Sequence, residues 1–402
     1  MLNESLGPLA RPYSIGARLT EEELIRDPYP AYQALLREEP ISWIQALSMW
    51  WIVRYDDVVE ILKNDEVFST VSERSTIYDT FGDQMLSAEG ERHRFYRSGF
   101  REAFQAKAVR DDLTAQIAHD VDRLIDGFSN ERCELRTEFA SRLPILTMLH
   151  VLGLPAEDET QLRHWYDDFE AALANFTWRA DIRAAARQSA EAFRSHLREG
   201  IARERVAPTG SLLGRAVAGS QGKGLDDAAI CRNAAIILFG GISTVEALLL
   251  NCVWAISSRP GLAASIAADV GVCSATVDEV MRWQSPVQSA TRHVRQDVEF
   301  RGHVFHKGDV VNCMLAAANR DPARFEEPDI FRPERSDPAR HLAFAIGPHL
   351  CLGLHLARLE ARIALQHLYT RLPMLGLDPK RPAEPAGYEF RQPREMHMVW
   401  HA

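Results

Sequence analysis

Apolar residues recur at helical spacing through most of the chain and alternate only in short stretches. DPYPAYQALLREEP, residues 27–40, reads as a proline-bounded start followed by a short helix. ISWIQALSMWWIVRY, residues 41–55, is rich in β-branched and aromatic residues and predicts two short strands. From 57 to about 201 the period is mostly helical. Two polar-aromatic runs interrupt it, SERSTIYDTFGDQ (72–84) and NFTWRAD (175–181), each long enough to form a lid. GSQGKG, residues 219–224, predicts a flexible connector. An apolar helix of roughly thirty residues follows, about 45 Å long at the usual rise, and then another ending near Trp283. DVEFRGHVFHKGDVVNC, residues 297–313, alternates around Lys307 and Gly308 and predicts a hairpin. After a proline-rich coil, a last helix is expected from about 352 to 372. Helix dominates, with a minor sheet.

Bulk properties narrow the class. The chain has 402 residues, 46% hydrophobic and 25% charged, which describes an ordinary globular protein. A formal charge of −10 argues against a general nucleic-acid binder. The six cysteines form no C-x-x-C pair, and their scatter suggests reduced thiols in a cytosol, so the expected location is cytoplasmic. MLNESLGPLARPYSIGARL at the start has no apolar core of signal-peptide length, and no membrane anchor is expected.

One cysteine stands apart. In AFAIGPHLCLG, residues 343–353, Cys351 precedes the last helix. Free N–H groups and the helix dipole there favour a thiolate. Gly347 and Gly353 remove side chains around the sulfur, Pro348 stiffens the loop, Phe344 offers an apolar lid and His349 a donor for an anion. An electron-rich sulfur beneath a flat cofactor is what a haem thiolate ligand requires. The alternatives are a buried core cysteine and a nucleophilic cysteine, the latter without a supporting Cys-His motif.

The long apolar helix contains Gly240 and Gly241, each costing about 1 kcal/mol against alanine. They open a groove, and Thr244, four residues after Gly240, can hydrogen-bond its carbonyl and distort the turn. A membrane span is the competing reading, weakened by Glu246 and Asn251 within the segment.

The pattern Phe344, Gly347, His349, Cys351, Gly353 closely resembles the haem-binding loop of the cytochrome P-450 superfamily, with Ala345 where that family usually has glycine. GGIST resembles its oxygen-binding segment: Gly240, Gly241 and Thr244 match, and Ser243 stands where an acid is usual. Glu279, Arg282 and Arg335 resemble its structural Glu-Arg-Arg network, alone no more than a surface salt bridge. Gly90, His93 and Arg97 resemble its propionate-binding helix, with Arg292 and His349 as further cationic partners for haem carboxylates.

The resemblance implies a mainly α-helical single domain over residues 1–402, with 1–26 as an N-terminal extension, a long buried central helix and small β-sheets. It implies haem b with Cys351 as the axial, metal-binding thiolate. The implied activity is a monooxygenase inserting one atom of dioxygen into a small hydrophobic or aromatic substrate. Gly240, Gly241, Ser243 and Thr244 would line the oxygen site, with Thr244 managing protons. The chain has no four-cysteine cluster spacing and no spare length for a reductase, so a separate ferredoxin or flavodoxin is expected. The basic residues Arg92, Arg94, Arg101, Lys107 and Arg110 could attract such an acidic partner. Substrate contacts are expected from 75–85, 175–178, 237–244, 286–290 and near Phe390. Two other classes stay open: a peroxide-driven haem enzyme, suggested by the missing acid, and a non-catalytic haem-binding protein.

Overall fold

The computed structural model describes residues 14–72, 75–173, 175, 178–220, 225–336 and 340–400. Most of the expected connector 219–224, part of each interrupting run (73–74, 176–177) and the first half of the expected N-terminal extension lie outside the described residues. Helix accounts for 56% of the protein, as the helical periodicity requires. The chain divides into two compact units.

The first unit gathers residues up to 69, 278–350 and 384–392. Its five-stranded sheet starts with the predicted hairpin, Ile41–Ile44 paired antiparallel with Met49–Ile52. Met49–Ile52 then runs parallel to Val310–Cys313, which pairs antiparallel with Ala290–Val294, and Phe68–Ser69 closes the edge. Successive strand residues face opposite sides. Trp50 joins Ile41, Val58, Phe68 and Phe305 on one face, while Trp51 stacks on Tyr388 and packs with Tyr32 and Leu35 on the other. The extension is partly built into this core: Thr20 and Glu23 form a capping box for helix Glu21–Arg26, and its Leu24 is fully buried.

The hairpin expected at Lys307–Gly308 is corrected. The strands Val298–Phe300 and His303–Phe305 turn at Arg301 and Gly302, with φ of 51° and 78°. Two consecutive positive-φ residues match the twist of a tight hairpin. Val310–Cys313 leaves that ribbon for the main sheet, a long-range pairing that local alternation does not encode.

Glu279, Arg282 and Arg335 are not a surface bridge. Glu279 and Arg282 are fully buried and Arg335 nearly so. The Arg282 guanidinium donates from Nε and Nη2 to the two Glu279 oxygens, each at 2.8 Å, and Arg335 Nε donates to Glu279 at 3.0 Å. The remaining guanidinium donors reach the carbonyls of Asn319, Pro328, Ile330 and Glu327. One carboxylate thus fixes the irregular stretch 319–335, whose carbonyls a helix or sheet would otherwise satisfy.

The second unit comprises residues 70–277, 351–383 and 393–400 among those described. It is a helical assembly with one three-stranded sheet of Arg132–Glu134, His397–Val399 and Gly376–Leu377. The first interrupting run is not only loop: Ser75 caps a short helix, Thr76–Phe81. The expected central helix is present from 227 to 257. It is long and apolar enough to cross a membrane, but 78% of its most apolar window is buried inside the protein. It is a core helix interrupted in the middle, Asp227–Gly240 followed by Ser243–Ser257.

Candidate functional site

The interruption lies at the two glycines. Thr244 Oγ1 donates to the Gly240 carbonyl at 2.7 Å, capturing an acceptor that the broken ladder leaves open. The glycines differ in role. A Cβ on Gly240 would meet nothing within 4 Å, whereas one on Gly241 would lie 2.7 Å from the Met148 sulfur. Only Gly240 opens the expected groove; Gly241 is there for close packing, which corrects its assignment as a groove residue. Gly240 is exposed and Thr244 partly so, although Phe239, Ser243 and Val245 beside them are buried.

Ser243 turns the other way. It is 2% exposed, and its backbone N–H donates to Tyr166 Oη at 3.0 Å. Tyr166 belongs to helix Glu159–Leu173 and stacks on Phe239. Beyond Ser243, Glu246 accepts a 2.6 Å bond from Arg136 Nε. These neighbours come from segments more than seventy residues away, and no local motif announces them.

The final helix runs Leu354–Arg371 with Gly353 as its N-cap. It starts two residues later than expected, so Cys351 precedes the cap and accepts from the Gly353 N–H. The other five cysteines are buried; Cys351 alone keeps accessible surface. A Cβ on Gly353 would meet nothing within 4 Å. Burial pushes the Cys351 thiol up, and the Gly353 N–H, Arg97 and Arg358 only partly oppose it. Cys351 is thus partly accessible as a residue while its thiol is desolvated. A ligating metal cation supplies the charge that deprotonates such a thiol.

The loop before Cys351 belongs to the first unit, and the chain passes between units after Leu350. Ala345 has φ of 55° and Gly347 of 82°. A Cβ on Gly347 would lie 2.6 Å from the Leu62 carbonyl oxygen. Ala345 and Ile346 pack on the cluster containing Val58 and Leu62, and Phe344 lies 5.8 Å from the His341 ring. Residues 343–349 are all partly accessible, His349 included.

Of the expected cations, His93 and Arg97 lie on helix Gly90–Ser98 of the second unit, His93 buried and Arg97 half-buried. Arg97 is close enough to Cys351 to interact with its charge, while desolvation lowers its own pKa. Arg292 is buried in the first unit and donates to the Thr291 carbonyl at 2.9 Å. His93, Arg97, Gly240, Ser243, Thr244, Cys351 and Gly353 thus belong to the second unit, where Arg97 and Cys351 are neighbours, while Phe344, His349, Arg292 and the glutamate network stand in the first. A partly accessible cysteine, open space at Gly240 and Gly353, and the cationic side chains of His93 and Arg97 fit a flat, dianionic metal cofactor.

Residues 265–383 match the family model for cytochrome P-450. The chain is 32% identical over 386 residues to the cytochrome P-450 monooxygenase PikC of Streptomyces venezuelae, covering 92% of this chain and 90% of that protein. The chain belongs to the cytochrome P-450 family. The fold agrees along nearly the whole P-450 chain. The crystal structure of CYP109E1 from Bacillus megaterium in complex with testosterone has a TM-score of 0.84 at 25% identity, covering 96% of this chain and 100% of that one. The crystal structure of CalO2 has a TM-score of 0.85 at 28% identity, covering 94% and 97%. This P-450 is a monooxygenase, and the family's cofactor is haem held by a cysteine thiolate.

Proposed function

We propose that Cys351 is the thiolate ligand, and that the enzyme oxygenates a compact apolar substrate with electrons from a separate ferredoxin or flavodoxin in the cytoplasm. The observation that carries this reading is Cys351 itself, the one accessible cysteine, set before a bare Gly353 and within reach of Arg97. Haem supplies the activation of dioxygen, with the thiolate donating electron density that favours O–O cleavage. The chain does the rest. In the second unit Arg97 and His93 would hold the cofactor's carboxylates. Gly240 leaves open space on the central helix, and the Thr244 hydroxyl, bonded to the Gly240 carbonyl, would position and pass protons there.

The substrate class rests on the apolar character of 237–242 and 286–287, and on Phe390, which pairs with Val287; the relative CYP109E1 binds a steroid. Phe176 and Thr177, also expected to line the pocket, lie outside the described residues. Ser243, without a carboxylate, favours a second reading in which peroxide replaces dioxygen and the partner. Reconstitution with a ferredoxin and its reductase, scored against peroxide alone, separates the two. Compounds for that assay come from a screen for a blue shift of the haem band as water leaves the iron. Turnover only with the reductant chain supports the monooxygenase; equal turnover with peroxide alone supports the second reading.

A further inference from the structure

The accessible positions of the central helix form one stripe. Between 233 and 244 they are Ile237, Gly240, Gly241 and Thr244, and the residues between them are buried. Steps of three and four keep such positions on one face of a helix. Asn233 stands on the same face, four residues before Ile237 and seven before Gly240, yet it is fully buried. The stripe ends there because residues 82–87 lie against the helix.

Two consecutive side chains fasten that loop. Asn233 Oδ1 accepts from the Met85 N–H at 2.8 Å, and its amide donates to the Ala229 carbonyl at 2.8 Å. Arg232 Nε donates to the Asp83 carbonyl at 2.8 Å. The Asp83 carboxylate in turn accepts from Arg92 and Tyr96 on helix Gly90–Ser98, which carries His93 and Arg97. Gln84 is fully buried and braces the turn, accepting from the Leu86 N–H and donating to Ser87 Oγ. Just upstream, the Phe81 ring lies 6.0 Å from that of Phe239. Both bonds from the central helix go to main-chain atoms, so they fix where the buried Met85 lies.

We infer that Asn233 is a positioning residue: its bond to the Met85 main chain sets residues 82–87 as the end wall of the accessible stripe and so limits the length of substrate the enzyme accepts. This rests on the proposed oxygenation of an apolar substrate beside Gly240. A substrate that follows the stripe from Gly240 has about two turns of helix, roughly 10 Å at the usual rise, before it meets the loop. That space suits a compact body and stops a long chain. Removing the Asn233 acceptor leaves a buried amide N–H unpaired, a cost the loop escapes by moving off the helix.

Two measurements test it. Hydrogen exchange of the resting enzyme reads the clasp without substrate or reductant. Asn233→Leu should speed exchange of the Met85 amide on the order of tenfold, while the amides of Ser243–Ser257 keep their protection. An unchanged Met85 amide overturns the contact. Binding of N-alkylimidazoles, which ligate the iron and extend their chains away from it, reads the wall. In the wild type affinity should rise with chain length from butyl and fall before dodecyl. Asn233→Leu should tighten dodecyl relative to butyl on the order of tenfold, the burial of roughly two further methylene groups. Where that variant fails to fold, Arg232→Met, at a half-buried position, should shift the profile the same way. Asn233→Asp keeps an acceptor for the Met85 N–H and should keep the wild-type profile. An unmoved profile in Asn233→Leu, with Met85 exchange accelerated, would show a clasp that sets no limit on length. A chain that binds no haem overturns both the monooxygenase reading and the limit on its substrate, and the exchange result separates that failure from failure of the clasp.

Discussion

Thr244 and Gly240 are joined by a 2.7 Å hydrogen bond across the one interruption of the central helix. The bond ties a hydroxyl to a carbonyl at a position where the helix presents open space. A hydroxyl so placed closes the broken turn at rest, and the proposed function adds the handling of protons in turnover.

Removing it separates these purposes. Thr244→Ala should keep substrate binding, read as an unchanged band shift, while product per electron falls on the order of tenfold and peroxide rises correspondingly. Thr244→Ser keeps the hydroxyl and should stay close to the wild type. Tight coupling in Thr244→Ala would remove the hydroxyl from the mechanism.

Glu279 predicts a folding defect. Its carboxylate is fully buried and shared by two guanidinium groups, and removing one partner of a buried pair costs about 3–5 kcal/mol. Glu279→Ala should give poorly soluble protein with little haem. Normal haem content and an unchanged melting temperature would contradict this.

Ala345 predicts a gain. A side chain at a φ of 55° carries roughly 1–2 kcal/mol of strain. Ala345→Gly should raise unfolding stability by about 1 kcal/mol, less than the strain because glycine frees the unfolded chain. Chemical denaturation reads the sign directly, and a destabilised variant would show the strain to be absent.

The helix that follows Cys351 carries a buried acid, Glu360, whose carboxyl is pushed up to about 8, chiefly by burial, with Asp120 adding to it and Thr147 opposing. The native state favours the neutral form. Its contribution to stability is full below the ordinary range near 4.5 and is lost as pH rises toward about 8. The wild type should lose on the order of a few kcal/mol over that window, and Glu360→Gln should lose less. Parallel stability–pH curves would rule the group out.

What the sequence reveals and what it hides divide by range. Thr244 four residues after Gly240, and Arg282 three after Glu279, are local relations on a helix, and both are found. The Ser243 environment is not legible, because Tyr166 and Arg136 arrive from distant segments. The hairpin turn was misread because Lys307–Gly308 carries turn residues and the real turn is made by Arg301 adopting a positive φ. At Cys351 the helix-start effect acts through the Gly353 N–H, and the burial that opposes it is not legible in the local sequence.

The assignment of Cys351 underlies every other step. Its most direct test is the carbon monoxide spectrum of the reduced enzyme, compared between the wild type and Cys351→His. The wild type should show the red-shifted band of thiolate ligation, and Cys351→His should bind haem without it. A red-shifted band that persists unchanged in Cys351→His would show that another group ligates the iron.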